Sequence, residues 1–453
     1  MRAGRILVGL LVVAGSLGVI FTGAEIYSRL LYLGILLILM SAAWSWSVSR
    51  YLKVERQTRS LRANVGDILE EHFEIGNGSM LLNLWIEVLN QSPIPGASGS
   101  RLVTLVGGRQ KRTYTSRTWL TRRGAFPLGP TLLTSGDPFG LFRFRRSFPP
   151  QETLVVVPMI FDLARFASPP GVLSGGPVIH RRAADITPHA SGVREYVPGD
   201  PMKRIHWPST VRLGQVMVKE FEQDPQSEVW LFLDAEAGVH FEKAESRQDT
   251  RVDSLLFKVD AFLFGRRPEF HLPPSTLEYA VTISASLAHY FLGERRAVGL
   301  ATSGRAYTGI PAERGERQES KILETLAFVE AESSLSLAGL VAAQAQQLPP
   351  GSSAILVTPT VSSELIAAAD DLQRRSLRPL VVLLAAQTFG GPPGTDRLLR
   401  SLTERGVPVC PIYCDADLAT VLATFASTSL SKDVHVWQRP PLPHLTSSSR
   451  ADR

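Results

Sequence analysis

The 453-residue sequence predicts a multi-domain, membrane-anchored chain: an N-terminal two-helix transmembrane hairpin, an all-β sandwich-like domain and an α/β domain on a mostly parallel, doubly wound sheet. Three observations predict it. Two uncharged apolar runs, Ile6–Ala24 and Leu30–Ser49, stand near the N-terminus. Residues 51–160 carry short apolar stretches divided by Gly, Pro, Ser and Asn, with no helical period. From Val229 onward, short β-branched and Leu-rich runs alternate with helical patterns.

The hairpin comes first. At 1.5 Å rise per residue, runs of 19 and 20 residues span roughly 28 to 30 Å, about a hydrocarbon core. The connector Glu25–Arg29 is short enough to force a return to the starting side. Arg2 and Arg5 precede the first span and Arg50, Lys53, Arg56 and Arg59 follow the second, whereas the connector holds only Arg29. The positive-inside rule then puts both termini and the soluble domains in the cytoplasm of a two-span cell-membrane protein. A cleaved signal peptide with Ile6–Phe21 as its apolar core is the alternative, and no convincing small-x-small cleavage site precedes Glu25. Cys410 and Cys414, the only two cysteines, fit a reducing compartment and read as core thiols rather than metal ligands.

In the β region, Leu81–Leu89, Leu102–Val106 and Leu154–Val157 read as strands. Between Arg101 and Arg146 stand ten Lys or Arg and one acid, Asp137, although the whole chain has a net charge of only +6. That local charge beside two spans suits anionic headgroups or plain solvation better than nucleic acid, because no aromatic platform is interleaved with it. Asp137-Pro138-Phe139-Gly140 carries turn chemistry, with Phe139, Leu141, Phe142 and Phe144 expected to anchor the turn in an apolar seam.

In the α/β region, strands are expected at Val229–Leu233, Ala297–Ala301, Ala354–Thr358, Leu380–Ala385 and Val407–Tyr413. Helices are expected at Thr276–Phe291, Lys321–Ala331, Leu337–Gln347, Ser362–Arg375, Thr395–Glu404 and Leu418–Ser427. A long charged insertion, Val239–Pro274, separates the first strand from its helix and contains an amphipathic stretch around Val252–Leu263. The domain boundaries are therefore 1–50, 51–160, a connecting segment 161–228, 229–430 and a Pro- and Ser-rich tail 431–453 that is expected to be disordered.

The connecting segment concentrates charge and aromatics. Arg194-Glu195-Tyr196, Pro198-Gly199-Asp200, Arg204-Ile205-His206-Trp207, Ser209 and Arg212 resemble the core signature of the bacterial domain of unknown function 58 family. Arg123-Gly124, Gly129-Pro130, Asp137-Pro138-Phe139-Gly140-Leu141-Phe142 and Val157-Pro158 fall upstream in the order that family shows. The resemblance covers roughly residues 60 to 430 and implies that the α/β part is a von Willebrand factor A-like domain. Such domains commonly hold a divalent cation at the carboxyl end of the first strand through an Asp-x-Ser-x-Ser loop. Here that loop reads Asp234-Ala235-Glu236-Ala237-Gly238, both serines are replaced, and the later strand ends Thr358-Pro359-Thr360 where an Asp is expected. The site at Asp234 and Glu236 is degenerate, so no cofactor is expected and a Mg²⁺ ion would be weakly held.

Within the signature, His206 near Asp200 and Glu195 suits acid/base chemistry and Ser209 a nucleophile, but no oxyanion-hole or nucleophile-elbow motif accompanies them. The favoured reading is structural, with Arg194, Arg204 and Arg212 pairing Glu195, Asp200 and Glu220 beside a packed Trp207. The functional expectation is a membrane-anchored, cytoplasm-facing interaction or adaptor protein without catalysis of its own. The resemblance implies a MoxR-type AAA+ ATPase as its partner, and the chain carries no Gly-x-x-x-x-Gly-Lys-Ser/Thr loop to bind nucleotide itself. The alternatives are a metal-dependent or hydrolytic enzyme using His206, Asp200 and Asp234 at the domain junction, and anionic lipid or nucleic-acid binding through the basic β domain.

Overall fold

The computed structural model describes residues 2–97, 101–166, 190–197, 202, 205–221, 228–243 and 270–425. The insertion between 244 and 269 and the tail from 426 therefore lie outside the described residues.

Two apolar helices open the chain, α1 (Arg2–Phe21) and α2 (Glu25–Tyr51). Both are long and apolar enough to cross a membrane, and in each only 11% of the most apolar window is buried against protein. The break falls at 22–24, where Gly23 takes φ +66°, so Glu25–Arg29 is not the connector. Those residues form the first turns of α2 instead, braced by an Arg29–Glu25 ion pair at 3.0 Å. The helices approach closely because glycines face bulk: a Cβ on Gly15 would lie 2.8 Å from the Leu31 amide nitrogen, and one on Gly18 would run into the Tyr27 ring.

The described chain divides into two compact units, Met1–Ile160 with Glu242–Ala285 and Ser320–Glu330, and Phe161–Phe241 with Ser286–Glu319 and Ala331–Arg453. In the first, α2 passes into β1 (Leu52–Thr58) with no intervening loop. The remaining strands are β2 (Arg62–Asn64), β3 (Ile68–Asn77), β4 (Asn83–Asn90), β5 (Arg101–Val106), β6 (Lys111–Trp119), β7 (Gly124–Pro127), β8 (Thr131–Gly136), β9 (Arg143–Phe148) and β10 (Thr153–Val157). They form sheets of order β1-β3-β6, β2-β10-β7 and β5-β4-β8-β9. Strand β3 shows why: Leu69, Glu71, Phe73, Ile75 and Asn77 are buried at every second position, the period that turns one face to a core. One core cluster joins Leu52 and Ile75 to Ile86, Val88, Val106 and Leu133, and a second gathers Val65, Leu120, Leu128, Leu154 and Val156.

In the second unit, β11 (Ala190–Glu195) and β12 (Met217–Phe221) pair antiparallel around the short helix α3 (Trp207–Leu213). A six-stranded mixed sheet follows, made of β13 (Val229–Leu233), β14 (Val298–Ser303), β15 (Tyr307–Glu313), β16 (Ser353–Thr358), β17 (Arg378–Leu384) and β18 (Val409–Ile412). Its order is β15-β14-β13-β16-β17-β18, with every pairing parallel except β14 with β15. The helices interleaved in sequence are α4 (Thr276–Gly293), which belongs to this unit only from Ser286, α5 (Glu316–Ala327), which belongs to it only up to Glu319, α6 (Leu337–Ala345), α7 (Glu364–Arg374) and α8 (Thr395–Glu404), and a last helical stretch covers 418–425. Every residue of β13, β14 and β16 is buried, the unbroken apolar pattern of strands covered on both faces. Phe232, Leu356 and Leu383 from the sheet pack with Leu340, Leu372 and Leu402 from the helices.

Candidate functional site

Strand order locates the first candidate. In an open α/β sheet, ligands settle beyond the carboxyl ends of strands where the order reverses, here between β13 and β16. Asp234 directly follows β13, and Thr358 is the last residue of β16. The Thr358 hydroxyl donates to Asp234 Oδ2 at 2.6 Å and the Glu236 amide to Oδ1 at 3.1 Å. Asp234 is 1% exposed, and burial pushes its carboxyl up from 3.8 to about 6, against the pull of the Thr358 and Glu236 hydrogen bonds.

Hydroxyl groups extend this end of the sheet. Ser303, closing β14, shares a 2.6 Å hydrogen bond with Ser333, whose amide and carbonyl bond the backbone of Ala235 and Ala237. The Asp234 carbonyl bonds His240 Nε2 at 3.0 Å. Both oxygens of the Asp234 carboxylate already accept hydrogen bonds. Among the described residues no group of three or more His, Cys, Asp or Glu side chains is placed to share an ion. Asp234 therefore works first as a staple between two strand ends. Sequence reading missed Ser303 and Ser333; the signal present was a hydroxyl at the last position of a buried strand.

The signature segment is the second candidate. Its strands pair Gly192 with Glu220, Arg194 with Val218 and Glu195 with Met217, and Tyr196 and His206 bond the backbone at Val216 and Met217. His206 Nδ1 lies 2.8 Å from the Ser209 hydroxyl, and Thr210 links the His206 carbonyl to the Met217 amide. His206 and Asp234 thus have separate side-chain partners. Asp200 and Arg204 lie outside the described residues, as does the side chain of Arg194, so the expected ion-pair network falls there.

The expectation of a packed Trp207 is overturned: it is 65% exposed, and no residue of α3 is buried. Among the described residues, hydrogen bonds at His206 and Thr210 tie the helix to Met217 of β12, and Trp207, Val211 (82%) and Leu213 (58%) are turned outward. Arg212 is exposed beside them. Val193, Val197, Met202 and Val216 are also exposed, so the segment carries an apolar surface at both its helix and its strand ends.

In the first unit the Asp137 carboxylate, 1% exposed, accepts the amides of Phe139 (2.9 Å), Leu141 (3.2 Å) and Phe142, while Gly140 takes φ +72° to close the turn. Leu141 is buried and Phe144 packs on the core, but Phe139 and Phe142 are 48% and 37% exposed rather than part of an apolar seam. The carboxylate draws three amides inward over the turn, and the side chains between them face out. Arg123 is also buried, ion-paired with Glu278 and donating to the carbonyls of Leu326 and Val329 near the end of α5. Arg56 and Glu71 form a further buried pair at 3.8 Å, in which burial lowers the Arg56 pKa and raises that of Glu71.

Comparison with known proteins points the same way for the signature. A family model described as "Protein of unknown function DUF58" matches residues 192–263. The uncharacterized protein YeaD of Bacillus subtilis (strain 168) is 27% identical over 249 residues, which cover 54% of this chain and 51% of that relative. The match thus spans about half the length of the curated relative. Among solved structures, a CARDB domain from Pyrococcus furiosus aligns at 14% identity and a TM-score of 0.18, covering 23% of this chain and 87% of that one. A β-glucosidase from Listeria innocua aligns at 16% identity and a TM-score of 0.14, covering 21% of this chain and 16% of that one.

Proposed function

From its match to the DUF58 family, described as of unknown function, we propose that the chain is a membrane-anchored interaction protein working as an adaptor for a MoxR-type AAA+ ATPase. The observation that carries this reading is the exposed apolar surface of the signature segment, centred on Trp207, Val211 and Leu213. A soluble surface that displays a tryptophan and aliphatic side chains on one short helix suits protein docking, where buried aromatic anchors dominate affinity.

The α/β part is read as von Willebrand factor A-like. Supporting this are the order β15-β14-β13-β16-β17-β18, the antiparallel edge strand and an aspartate at the end of the central first strand. The two apolar helices anchor the chain, with the soluble parts in the cytoplasm by the distribution of Arg and Lys around the spans. The ATPase supplies nucleotide hydrolysis, and this chain supplies a tethered docking surface.

The test is affinity purification of the full chain from native membranes in detergent, with and without ATP and Mg²⁺. Recovery of an AAA+ ATPase in near-equal amount, lost in Trp207→Ser with Val211→Asp, is the expected result. Equal recovery with that variant moves the docking surface elsewhere, and a chain that never recovers an ATPase overturns the adaptor reading.

A further inference from the structure

The turn between β8 and β9 touches the first apolar helix at the end where its lipid-facing surface begins. Arg5 Nε donates to the Leu141 carbonyl at 2.8 Å. A Cβ on Gly4 would meet the Phe139 carbonyl oxygen at 2.5 Å, so glycine there lets the turn lie directly against α1. One residue further on, Ile6 and Leu7 are each 61% exposed, and the apolar run of the helix has started. The second strand of the same hairpin holds the other helix: Arg146 donates to the Ser49 carbonyl at 3.4 Å and the Leu52 carbonyl at 3.1 Å, at the last turn of α2.

Phe139 and Phe142 are thus exposed aromatics on a turn fixed to the point where two apolar helices end. Exposed Trp46 and Tyr51 stand at the corresponding end of α2. Aromatic rings gather at that depth in membrane proteins because a ring placed among headgroups leaves water while the polar groups beside it stay hydrated. Arg143, half-engaged with Glu87, and exposed Arg145 flank the turn with positive charge. Asp137, accepting three backbone amides, fixes the turn that carries the two partly exposed rings.

We infer that the Asp137–Phe142 turn is a membrane-interface anchor, whose Phe139 and Phe142 rings enter the headgroup layer of the phospholipid bilayer that α1 and α2 cross. This rests on the reading of α1 and α2 as membrane spans. Its occupant is lipid rather than protein because the turn is held at Gly4 and Arg5, directly before the exposed apolar run of α1 that begins at Ile6.

The experiment places a nitroxide label at one position at a time in the full chain, with Cys414→Ser and the buried Cys410 retained. The chain is reconstituted in vesicles of phosphatidylethanolamine and phosphatidylglycerol. Collision with oxygen and with a water-soluble nickel complex is then compared at Phe139→Cys, Phe142→Cys, Leu10→Cys within α1 and Ser60→Cys on an exposed loop. Lipid-type profiles at 10 and at 139 or 142, with a water-type profile at 60, are expected. A lipid profile at 10 with water profiles at both 139 and 142 overturns the anchor while leaving the spans intact. A water profile at 10 overturns the spans themselves. Position 142 carries the test alone if the label at 139 unfolds the turn.

Discussion

Asp137 shows how a single buried carboxylate can specify a turn. Replacing it with alanine leaves three amides without their acceptor, each worth on the order of 1 to 3 kcal/mol when buried. Asp137→Ala is expected to lower the thermal midpoint of the detergent-solubilised chain sharply, and Asp137→Asn, which keeps one acceptor oxygen, by less. Asp234 behaves oppositely, because burial dominates its hydrogen bonds. Its carboxyl titrates at about 6 in the folded chain against an ordinary 3.8, so between those values the folded state binds more protons than the unfolded one. Stability therefore falls as pH rises from about 4 to about 6 and stays lower above, by about 3 kcal/mol at 1.36 kcal/mol per pKa unit. Asp234→Asn is neutral throughout and should flatten that part of the pH profile; urea midpoints for both chains at pH 4.5 and 7 would read it. An unchanged profile would mean that another group carries the dependence. Arg123→Ala, which strands Glu278 and two carbonyls, is expected to cost roughly 3 to 5 kcal/mol in denaturant unfolding, and Arg123→Lys should recover little because one ammonium cannot reproduce the fork.

At the scale of elements, close approach of α1 and α2 depends on positions without side chains. Gly18→Leu drives a branched side chain into Tyr27, and Gly15→Leu into the Leu31 backbone, so either should separate the helices and reduce crosslinking between cysteines placed across the hairpin. Much of this level was legible. β13 at Val229–Leu233 and α8 at Thr395–Glu404 coincide with their expected limits, since an unbroken apolar run and a clean helical period leave little choice. Strand β15 was not foreseen: it lies at the sheet edge, and among its residues only Ile310 is buried, so composition carries almost no apolar signal. Helix α5 begins at Glu316, five residues before the expected Lys321, because its first turn is acidic rather than apolar. The contacts of Arg123 had no local signature at all, since its carbonyl partners are about 200 positions away in sequence. The signature segment was legible as kinship, yet the outward face of α3 was not, because an apolar helical pattern is the same whether it meets a core or a partner.

For the whole molecule, the anchoring reading predicts retention. The full chain should remain with membranes through an alkaline carbonate wash and leave them only in detergent, whereas a peripheral protein would be released by the wash. A reporter fused after Arg453 should be active only in its cytoplasmic form, with the basic residues around the spans setting that side.

The passage from α2 to β1 has a mechanical consequence. Tyr51 ends the helix, Leu52 begins the strand and is fully buried in the core, and Arg146 grips the joint from β9. A 27-residue helix measures about 40 Å, some 10 Å more than a hydrocarbon core, so as the proposed membrane span it would take up changes in bilayer thickness by tilting. With no slack at the joint, that tilt would become a swing of the attached β-sheets, the proposed span acting as one arm of a lever whose fulcrum is the membrane surface.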